Sequence, residues 1–306
     1  VDLTDYAATA PGFDLDDFHY LLRSSAHWRD RLWAVPIAGQ WSLFQSDVAA
    51  HAAASLEPVP PVSWAGLEGQ IARLAHAAGN EQLRLPFADF TGDGLHALAG
   101  ATLCRDGPVS CPERLTPAAV RSALSWYGGI LAIQPDTPNF AAMSQNERRN
   151  YALNHLSRPR EIAAWIESPV YYEHNVQIAP LTLATLPAGA SVASTPVHLL
   201  GGVISTASQH PRDVWTWLDY LSRERPLNEP RALPGRTSVT IEIGFWTQMP
   251  ETVRGPLLAA LVSGRAVRID EREVFRGEIM AALHDGTATP AELAEKALEI
   301  KWFGSP

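Results

Sequence analysis

The chain has 306 residues, of which 46% are hydrophobic and 19% are charged, and its formal net charge is −9. This length and composition are typical of a folded protein with two domains or two lobes, and they argue against wholesale disorder. The acidic balance excludes the basic surface that phosphate binding requires, so we expect no nucleic-acid partner.

Membrane spans, catalytic motifs and metal sites are also not expected from the sequence. No apolar run reaches the roughly 18 to 20 residues that span a bilayer. The G-x-S-x-G, Walker, dinucleotide and H-E-x-x-H motifs do not occur, which argues against an enzyme and against a bound cofactor. The cysteines, Cys104 and Cys111, are compatible with free thiols or with a short-loop disulfide, and no second Cys/His pair stands at zinc-ligand spacing.

The first 47 residues predict helical segments followed by strands. Residues 1–30 are polar, with Phe13, Phe18, Leu21 and Leu22 at mixed helical spacing. "RLWAVPIAGQWSLFQSD" then predicts two short strands with a break around Pro36 and Gly39. We interpret this break as a crossing point between lobes.

Two amphipathic helices are expected in the middle of the chain. The first begins after Ser63, a possible N-cap, and the second begins at Thr116-Pro117. Their apolar residues recur at helical spacing and predict one buried stripe on each helix: Leu67, Ile71, Leu74 and Ala78 in the first, and Val120, Leu124, Tyr127 and Leu131 in the second.

The remainder alternates strands with helices, which indicates an α/β fold. "REIAAWIESPVYYEHNVQIAPLTL" reads as strands broken at Pro169 and Pro180. "LLGGVISTASQHPRDVWTWLDYL" predicts a Gly-Gly turn, a strand at residues 203–205 and a helix from His210-Pro211. The core-facing residues expected for that helix are Val214, Trp217, Leu218 and Leu221. Near the C-terminus, Thr289 and Glu292 fit a capping box.

Several segments, taken in chain order, carry a family resemblance. "LLGGVISTASQHPRDVWTWLDYL" is similar to a block of the form "GG.gl.Is..skhPeaAweFlkfL", and "VDLTDYAATAPGFDLDDF" is similar to "lDLTpyi…dlddf". Further matches are "RLWAVPIAGQWSLFQSDV", "PVPPVSWAGLEGQIARLA", "RALPGRTSV" and "ALHDGTATPAELAEKALEI". Across nearly its whole length, the chain therefore resembles the extracellular solute-binding proteins of ABC importers, the family of the maltose and other sugar receptors.

The resemblance implies a periplasmic-binding-protein-like α/β fold of class II, with two lobes joined by a hinge. Residues 1–39 and 203–265 would form part of the first lobe, and residues 40–202 and 266–306 the second. A small solute, a carbohydrate by analogy with the family, would bind in the cleft and pass to the transmembrane subunits of an ABC permease. Such a protein is extracytoplasmic, in the periplasm or anchored at the cell surface. The alternative is a ligand-binding sensory module, or a fragment, that is not coupled to transport.

Two departures from the family pattern affect this expectation. Family members carry further residues before the "lDLTpyi" block, so the first lobe is expected to be incomplete. A missing N-terminal segment or a second chain would then cover its open sheet edges. The family's "YN" is replaced by Gln45-Ser46, and Gly39 stands where an acidic residue is common. The solute specificity of known sugar receptors is therefore not carried over.

The expected solute contacts follow from the matched blocks. Gln40 and Trp41 stand just past the hinge, although Trp41 is equally compatible with a place in the core. Tyr171 and Tyr172 fall where the family presents an aromatic platform, and because strand neighbours point to opposite faces, one of them at most is expected to reach the cleft.

The first lobe adds three further candidates. Gly201 and Gly202 would bring the backbone close to the solute, or would simply form a tight turn. Arg236 could bind a hydroxyl or an anionic group, or form a surface salt bridge. The ten tryptophans of the chain offer further apolar faces for sugar rings, but most are expected to be packed.

Overall fold

A computed structural model gives the fold of the chain. It describes residues 1–59, 62–77, 83, 85–103, 115–156, 161–167, 181–187, 195–224, 232–267, 274–275 and 277–299. The predicted sites Tyr171, Tyr172, Cys104 and Cys111, and the predicted stripe residue Ala78, lie outside these ranges. No helix within them is long and apolar enough to cross a membrane.

Helices and strands alternate along most of the chain. The helices are α1 (Thr4–Thr9), α2 (Tyr20–Ala26), α3 (Val48–Ala53), α4 (Trp64–Ala77), α5 (Asp93–Leu103), α6 (Pro117–Ile133), α7 (Gln145–Leu156), α8 (Pro211–Arg223), α9 (Thr237–Glu242), α10 (Glu251–Val262), α11 (Gly277–His284) and α12 (Pro290–Glu299), with a 3₁₀ turn at Leu15–Asp17. The strands are β1 (His27–Trp28), β2 (Arg31–Leu32), β3 (Val35–Trp41), β4 (Leu43–Asp47), β5 (Leu85–Asp89), β6 (Ile162–Glu167), β7 (Leu181–Ala184), β8 (Thr195–Gly202), β9 (Leu233–Pro234) and β10 (Gly264–Ala266).

The longer strands form two separate four-stranded sheets. The first sheet has the order β10-β8-β3-β9, and the second has the order β5-β6-β4-β7. Strands β3 and β4 follow each other in sequence with only Ser42 between them, yet they belong to different sheets. The chain therefore crosses between the sheets at Ser42, whereas the sequence predicted a break near Pro36 and Gly39. Both of those residues lie inside β3, where the register shifts between Pro36 and Ala38.

The second sheet is buried on both faces. Every residue of β4, β5 and β6 is buried, as expected for strands covered by helices on both sides. Its largest core packs against α4, α5, α6, α11 and α12, and includes Phe44, Phe87, Leu124 and Ile166. The first sheet packs on one side around Trp41, Val197 and Leu257, and on the other around Val35, Trp215 and Leu218.

Local capping signals in the sequence are confirmed. The hydroxyl of Ser63 accepts a hydrogen bond from the backbone N–H of Gly66 at 3.1 Å, and that of Thr116 accepts one from Ala119 at 3.3 Å. At α12, Thr289 and Glu292 bond each other's backbone N–H reciprocally. The predicted stripes of α4 and α6 are also buried, except that Leu131 is only half-buried.

Two expectations for residues 199–221 are wrong. The strand is Thr195–Gly202 rather than residues 203–205, so Gly201 and Gly202 close a strand instead of forming a turn before one. In α8, Trp217 is 58% exposed whereas Trp215 is 7% exposed. The helix is rotated relative to the predicted stripe because the first sheet contacts it through Trp215 and Leu218.

Glycine at position 202 is required by the packing of α8. A Cβ atom there would lie 2.3 Å from Cδ2 of Leu218. We expect Gly202→Ala to lower the free energy of unfolding by about 1 to 3 kcal/mol, because the core must shift to accept the methyl group. Urea unfolding measures this change. Gly69→Ala on α4, where a Cβ would meet no atom within 4 Å, is the control and should be neutral or stabilising; equal effects of the two variants would contradict the packing argument.

Candidate functional site

The candidate site is the junction at which the chain passes from one sheet to the other. Ser42 separates β3 of the first sheet from β4 of the second. The carboxyl ends of the parallel neighbours β5 and β6 lead to the start of α5 and to Glu167. In open α/β sheets, ligands bind outside the carboxyl ends of the strands, so this junction is where the fold itself predicts a site.

A buried carboxylate connects the two sheets at the junction. Asp93, the first residue of α5, is 2% exposed. Its Oδ2 accepts a hydrogen bond from the Ser42 hydroxyl at 2.5 Å, and its Oδ1 lies 2.6 Å from Nε2 of His198 on β8. We name Ser42, Asp93 and His198 the junction triad. It joins the crossing residue, a helix of the second sheet and a strand of the first.

The charge of Asp93 is stabilised by its partners. Burial alone would raise the pKa of Asp93, but the attraction of His198 and the hydrogen bonds from His198 and Ser42 outweigh burial and hold the pKa well below its usual range. Asp93 is therefore ionised at neutral pH. The triad is not a nucleophile arrangement, because the serine and the histidine both contact the carboxylate rather than each other.

Asp89 holds the start of α5 in place beneath the triad. Its carboxylate accepts hydrogen bonds from the backbone N–H groups of Gly92 (2.9 Å), Gly94 (3.0 Å) and Leu95 (3.3 Å). Burial, followed by repulsion from Asp93, raises the pKa of Asp89 to about 7. Asp89 therefore fixes the first turn of α5, from which Asp93 projects.

Glu167, at the end of β6, is a second buried acid beside the crossing. It lies opposite Leu43, the residue that follows Ser42, and is 9% exposed. Its Oε2 has no hydrogen-bond donor in the described part of the chain. Burial raises the pKa of Glu167 to about 8, and the Trp165 indole only partly offsets this effect. Glu167 is therefore largely protonated at neutral pH.

The open part of the junction is formed by β3 and β8. Gln40 lies directly opposite His198, so their side chains share one face of the first sheet. The His198 side chain is 18% exposed, and Leu200, two residues further on the same face, is 50% exposed. This face therefore offers two polar side chains and one apolar side chain to a ligand.

The sequence-predicted residues are not all at this junction. Gln40 is half-buried beside His198, whereas Trp41 is buried in the core with Val197. Gly201 and Gly202 lie at the other end of β8, opposite Pro36 and Val35.

Arg236 also lies away from the junction and is fully engaged with neighbouring residues. Its guanidinium is 2% exposed and lies 2.8 Å from Asp219 and 3.3 Å from Asp17. It also donates to the Ser222 hydroxyl at 2.9 Å and covers the ring of Phe18. In this arrangement Arg236 joins α8 to the 3₁₀ turn at Leu15–Asp17.

Sequence reasoning missed Asp93 and His198, the residues that the structure brings together with Gln40. Asp93 is the only acid in the glycine-rich stretch "TGDGLHALAG", and His198 is the only ionisable residue in the apolar stretch "TPVHLL". That local contrast is the signal that could have drawn attention to them. No group of three potential metal ligands occurs in the ranges given above.

The buried acid at position 167 predicts a pH-dependent stability. Folding raises the pKa of Glu167. The loss of stability that Glu167 causes is therefore absent at pH values below its pKa in the unfolded chain, and it grows as the pH rises toward 8. We expect Glu167→Gln to stabilise the protein by about 2 to 3 kcal/mol at neutral pH, because the amide, unlike the carboxyl group, gains nothing by ionising in the unfolded chain. Urea unfolding between about pH 5 and about pH 8 measures this difference, which should shrink on acidification. Glu242→Gln, at an exposed position, is the control; a gain for Glu167→Gln that does not depend on pH would contradict the assignment.

Comparisons with known proteins place the fold. No family model matches the chain, and no curated protein is significantly similar to it. The GacH receptor of Streptomyces glaucescens, solved unliganded and with acarbose, has a TM-score of 0.67 at 18% identity, covering 98% of this chain and 77% of its own. UgpB from Mycobacterium tuberculosis, solved with glycerophosphocholine, has a TM-score of 0.67 at 18% identity, and the match covers 97% of this chain and 76% of UgpB. Maltose-bound MalE3 of T. maritima has a TM-score of 0.68 at 14% identity, and the match covers 98% of this chain and 78% of MalE3.

These similarities extend over nearly the whole chain, and each relative carries additional residues of its own. The low identities show the fold rather than the ligand. The expected α/β class and the resemblance to ABC-importer solute-binding proteins are thus confirmed: the chain has the fold of the periplasmic-binding-protein-like sugar receptors.

Proposed function

We propose that this chain is a non-enzymatic receptor that binds a small hydroxylated solute, most simply a carbohydrate, for an ABC-type permease. The observation that carries the proposal is the polar junction between two sheets, at the carboxyl ends of β5 and β6, in a fold shared with solved solute receptors. The relatives' ligands include acarbose, glycerophosphocholine and maltose. In this proposal the protein works outside the cytoplasm, in the periplasm or anchored to the cell surface.

The two sheets would belong to two lobes that move relative to each other. The strand pairing supports lobe boundaries at Ser42 and in the segment between β7 and β8. The resemblance instead placed the second of these boundaries after residue 202, so in this proposal β8 belongs to the first lobe rather than to the second. In this scheme the chain crosses between the sheets at Ser42 and between β7 and β8, and it returns to the core of the second sheet after β10, where α11 and α12 pack. Such crossings can absorb the backbone rotation of a hinge, so solute binding would close the lobes over the junction.

The solute would contact the open face of β3 and β8. Gln40 can donate and accept hydrogen bonds from its amide, whereas Gly201, at the other end of β8, would not reach a solute at the junction. Tyr171 or Tyr172 would supply the stacking platform that sugar rings favour. Trp41, Gly202 and Arg236 would act indirectly in this proposal, because they pack beneath the first sheet or bind Asp17 and Asp219.

The first sheet also offers an uncovered edge. Strand β10 pairs with β8 only at Thr195–Val197, so residues 198–202 have no strand on that side within the described ranges. Exposed apolar side chains lie nearby on β8, at the residue that follows it and on α8, namely Leu200, Val203, Trp217 and Tyr220. We propose that a further strand-forming segment, from a longer chain or from a second chain, covers this edge, because bare apolar edges promote association.

A ligand screen tests the receptor proposal. A ligand at a hundredfold its Kd stabilises a protein by about 2.7 kcal/mol, so a thermal-shift titration with sugars, polyols, amino acids and short peptides should show one responding class. We expect that class to be a carbohydrate. Responses only to amino acids or peptides would refute the carbohydrate assignment, and a flat response to all classes would refute the receptor function of this chain.

A pair of glutamine variants tests the location of the site. We expect Gln40→Ala to weaken binding of the responding sugar by about tenfold, the cost of losing one or two hydrogen bonds to the ligand. Isothermal titration calorimetry measures the change. Gln209→Ala, at an exposed position before α8, is the control; equal affinities of both variants would place the site away from the junction.

Light scattering across a concentration series tests the open edge. We expect the chain to associate as its concentration rises and Leu200→Lys to suppress that association, because an edge lysine disfavours strand pairing. Ser205→Lys, at an exposed position beyond β8, is the control. A chain that stays monomeric at every concentration would contradict pairing between copies.

A further inference from the structure

His198 has one nitrogen fixed by the protein and one available for a ligand. Nε2 lies 2.6 Å from Oδ1 of Asp93, whereas Nδ1 has no hydrogen-bond partner among the described residues. The side chain is partly exposed, and it lies between Gln40 across the strand pair and Leu200 along the strand. Because the bond at Nε2 fixes the orientation of the ring, Nδ1 also points in one fixed direction.

The charge of the junction restricts the ligands that this imidazole can receive. Asp93 is ionised, and no described Lys or Arg bonds to any member of the junction triad. The buried Arg236 is already neutralised by Asp17 and Asp219. An anionic group brought to the junction would lie near the ionised Asp93 with no described Lys or Arg to pair with it, so its desolvation would not be compensated.

Neutral hydroxyl groups meet this arrangement without such a cost. A hydroxyl both donates and accepts, so it can satisfy an imidazole nitrogen whether that nitrogen carries a proton or not. Gln40, on the same face, supplies a second donor and acceptor at cross-strand distance. Leu200 supplies an apolar surface for the C–H face of a sugar ring.

We infer that His198 contacts the solute, that Asp93 is the positioning residue which orients it, and that the pair selects uncharged polyhydroxylated solutes over anionic ones. This inference rests on the proposed receptor function, and it assigns a contact residue that the sequence did not predict. Ser42 completes the arrangement, because its hydroxyl occupies the other oxygen of Asp93 and so leaves only Oδ1 for the imidazole.

The test uses calorimetric titration of the full chain with maltose and glucose as neutral probes, and with glucose 6-phosphate and gluconate as anionic probes. The wild type should bind a neutral probe and neither anionic one. His198→Ala should weaken the affinity for the neutral probe by at least about tenfold. His198→Gln should retain part of the affinity, because its amide can still hydrogen-bond the solute. His210→Gln, at an exposed position at the start of α8, is the control and should leave affinity unchanged.

Asp93→Asn separates positioning from simple structural support. It removes the negative charge beside His198, so the affinity for gluconate should rise relative to the affinity for the neutral probe. A purely structural role would lower the melting temperature without changing this ratio. If Asp93→Asn does not fold, the two His198 variants still decide the inference.

The outcomes separate this inference from the proposed function. Preferential binding of an anionic probe, or unchanged neutral-probe affinity in His198→Ala, would overturn the inference and leave the receptor function standing. Binding of none of the four probes, together with a flat ligand screen, would overturn the receptor function and the inference with it.

Discussion

The junction depends on one constraint: a buried, ionised carboxylate at the start of α5 needs partners that stabilise its charge, and those that bond it directly lie outside its own helix. Asp93 meets this requirement with a hydroxyl from the crossing residue and an imidazole from the other sheet. Removing one partner of such a buried pair leaves an uncompensated charge, which costs several kcal/mol, about 3 to 5. The relative placement of Ser42, α5 and β8 is therefore tied to a single side chain.

A buried carboxylate with its polar partners is weak evidence for stability, because desolvation consumes much of the electrostatic gain. In this protein the contribution of these bonds is to restrict geometry rather than to add stability. The apolar clusters around Trp41 and Leu43 allow the two sheets to pack together, but apolar contacts tolerate small rotations. The bonds from Asp93 to Ser42 and His198 have fixed directions, and hence they favour one arrangement of the crossing. We infer that the apolar contacts hold the sheets together and that the triad stabilises one of the orientations between which a hinge at Ser42 would move them.

The features that the sequence predicted correctly are local. The caps at Ser63, Thr116 and Thr289 involve residues three positions apart, so their hydrogen bonds are encoded within one helical turn. The rotation of α8 is not local: "VWTWL" permits either tryptophan to face inward, and the position of the first sheet selects Trp215. The Asp93–His198 contact joins residues 105 positions apart, a separation over which periodicity and spacing carry no information. Fold class and helix positions were therefore predictable, whereas the chemistry of the junction was not.

The other buried polar residues beside the crossing, Gln45 and Glu167, also avoid an uncompensated charge, but they do so by being neutral. Gln45 stands where the family pattern has an aromatic residue; it is fully buried, and its amide donates to the Glu167 carbonyl at 3.4 Å. An ionised Glu167 would have no countercharge in the described part of the junction. Holding a proton removes that cost, since burying a neutral carboxyl group is far cheaper than burying its anion. The junction therefore contains two acids in opposite states: Asp93 is ionised because His198 and Ser42 satisfy it, and Glu167 is neutral because no described cation does.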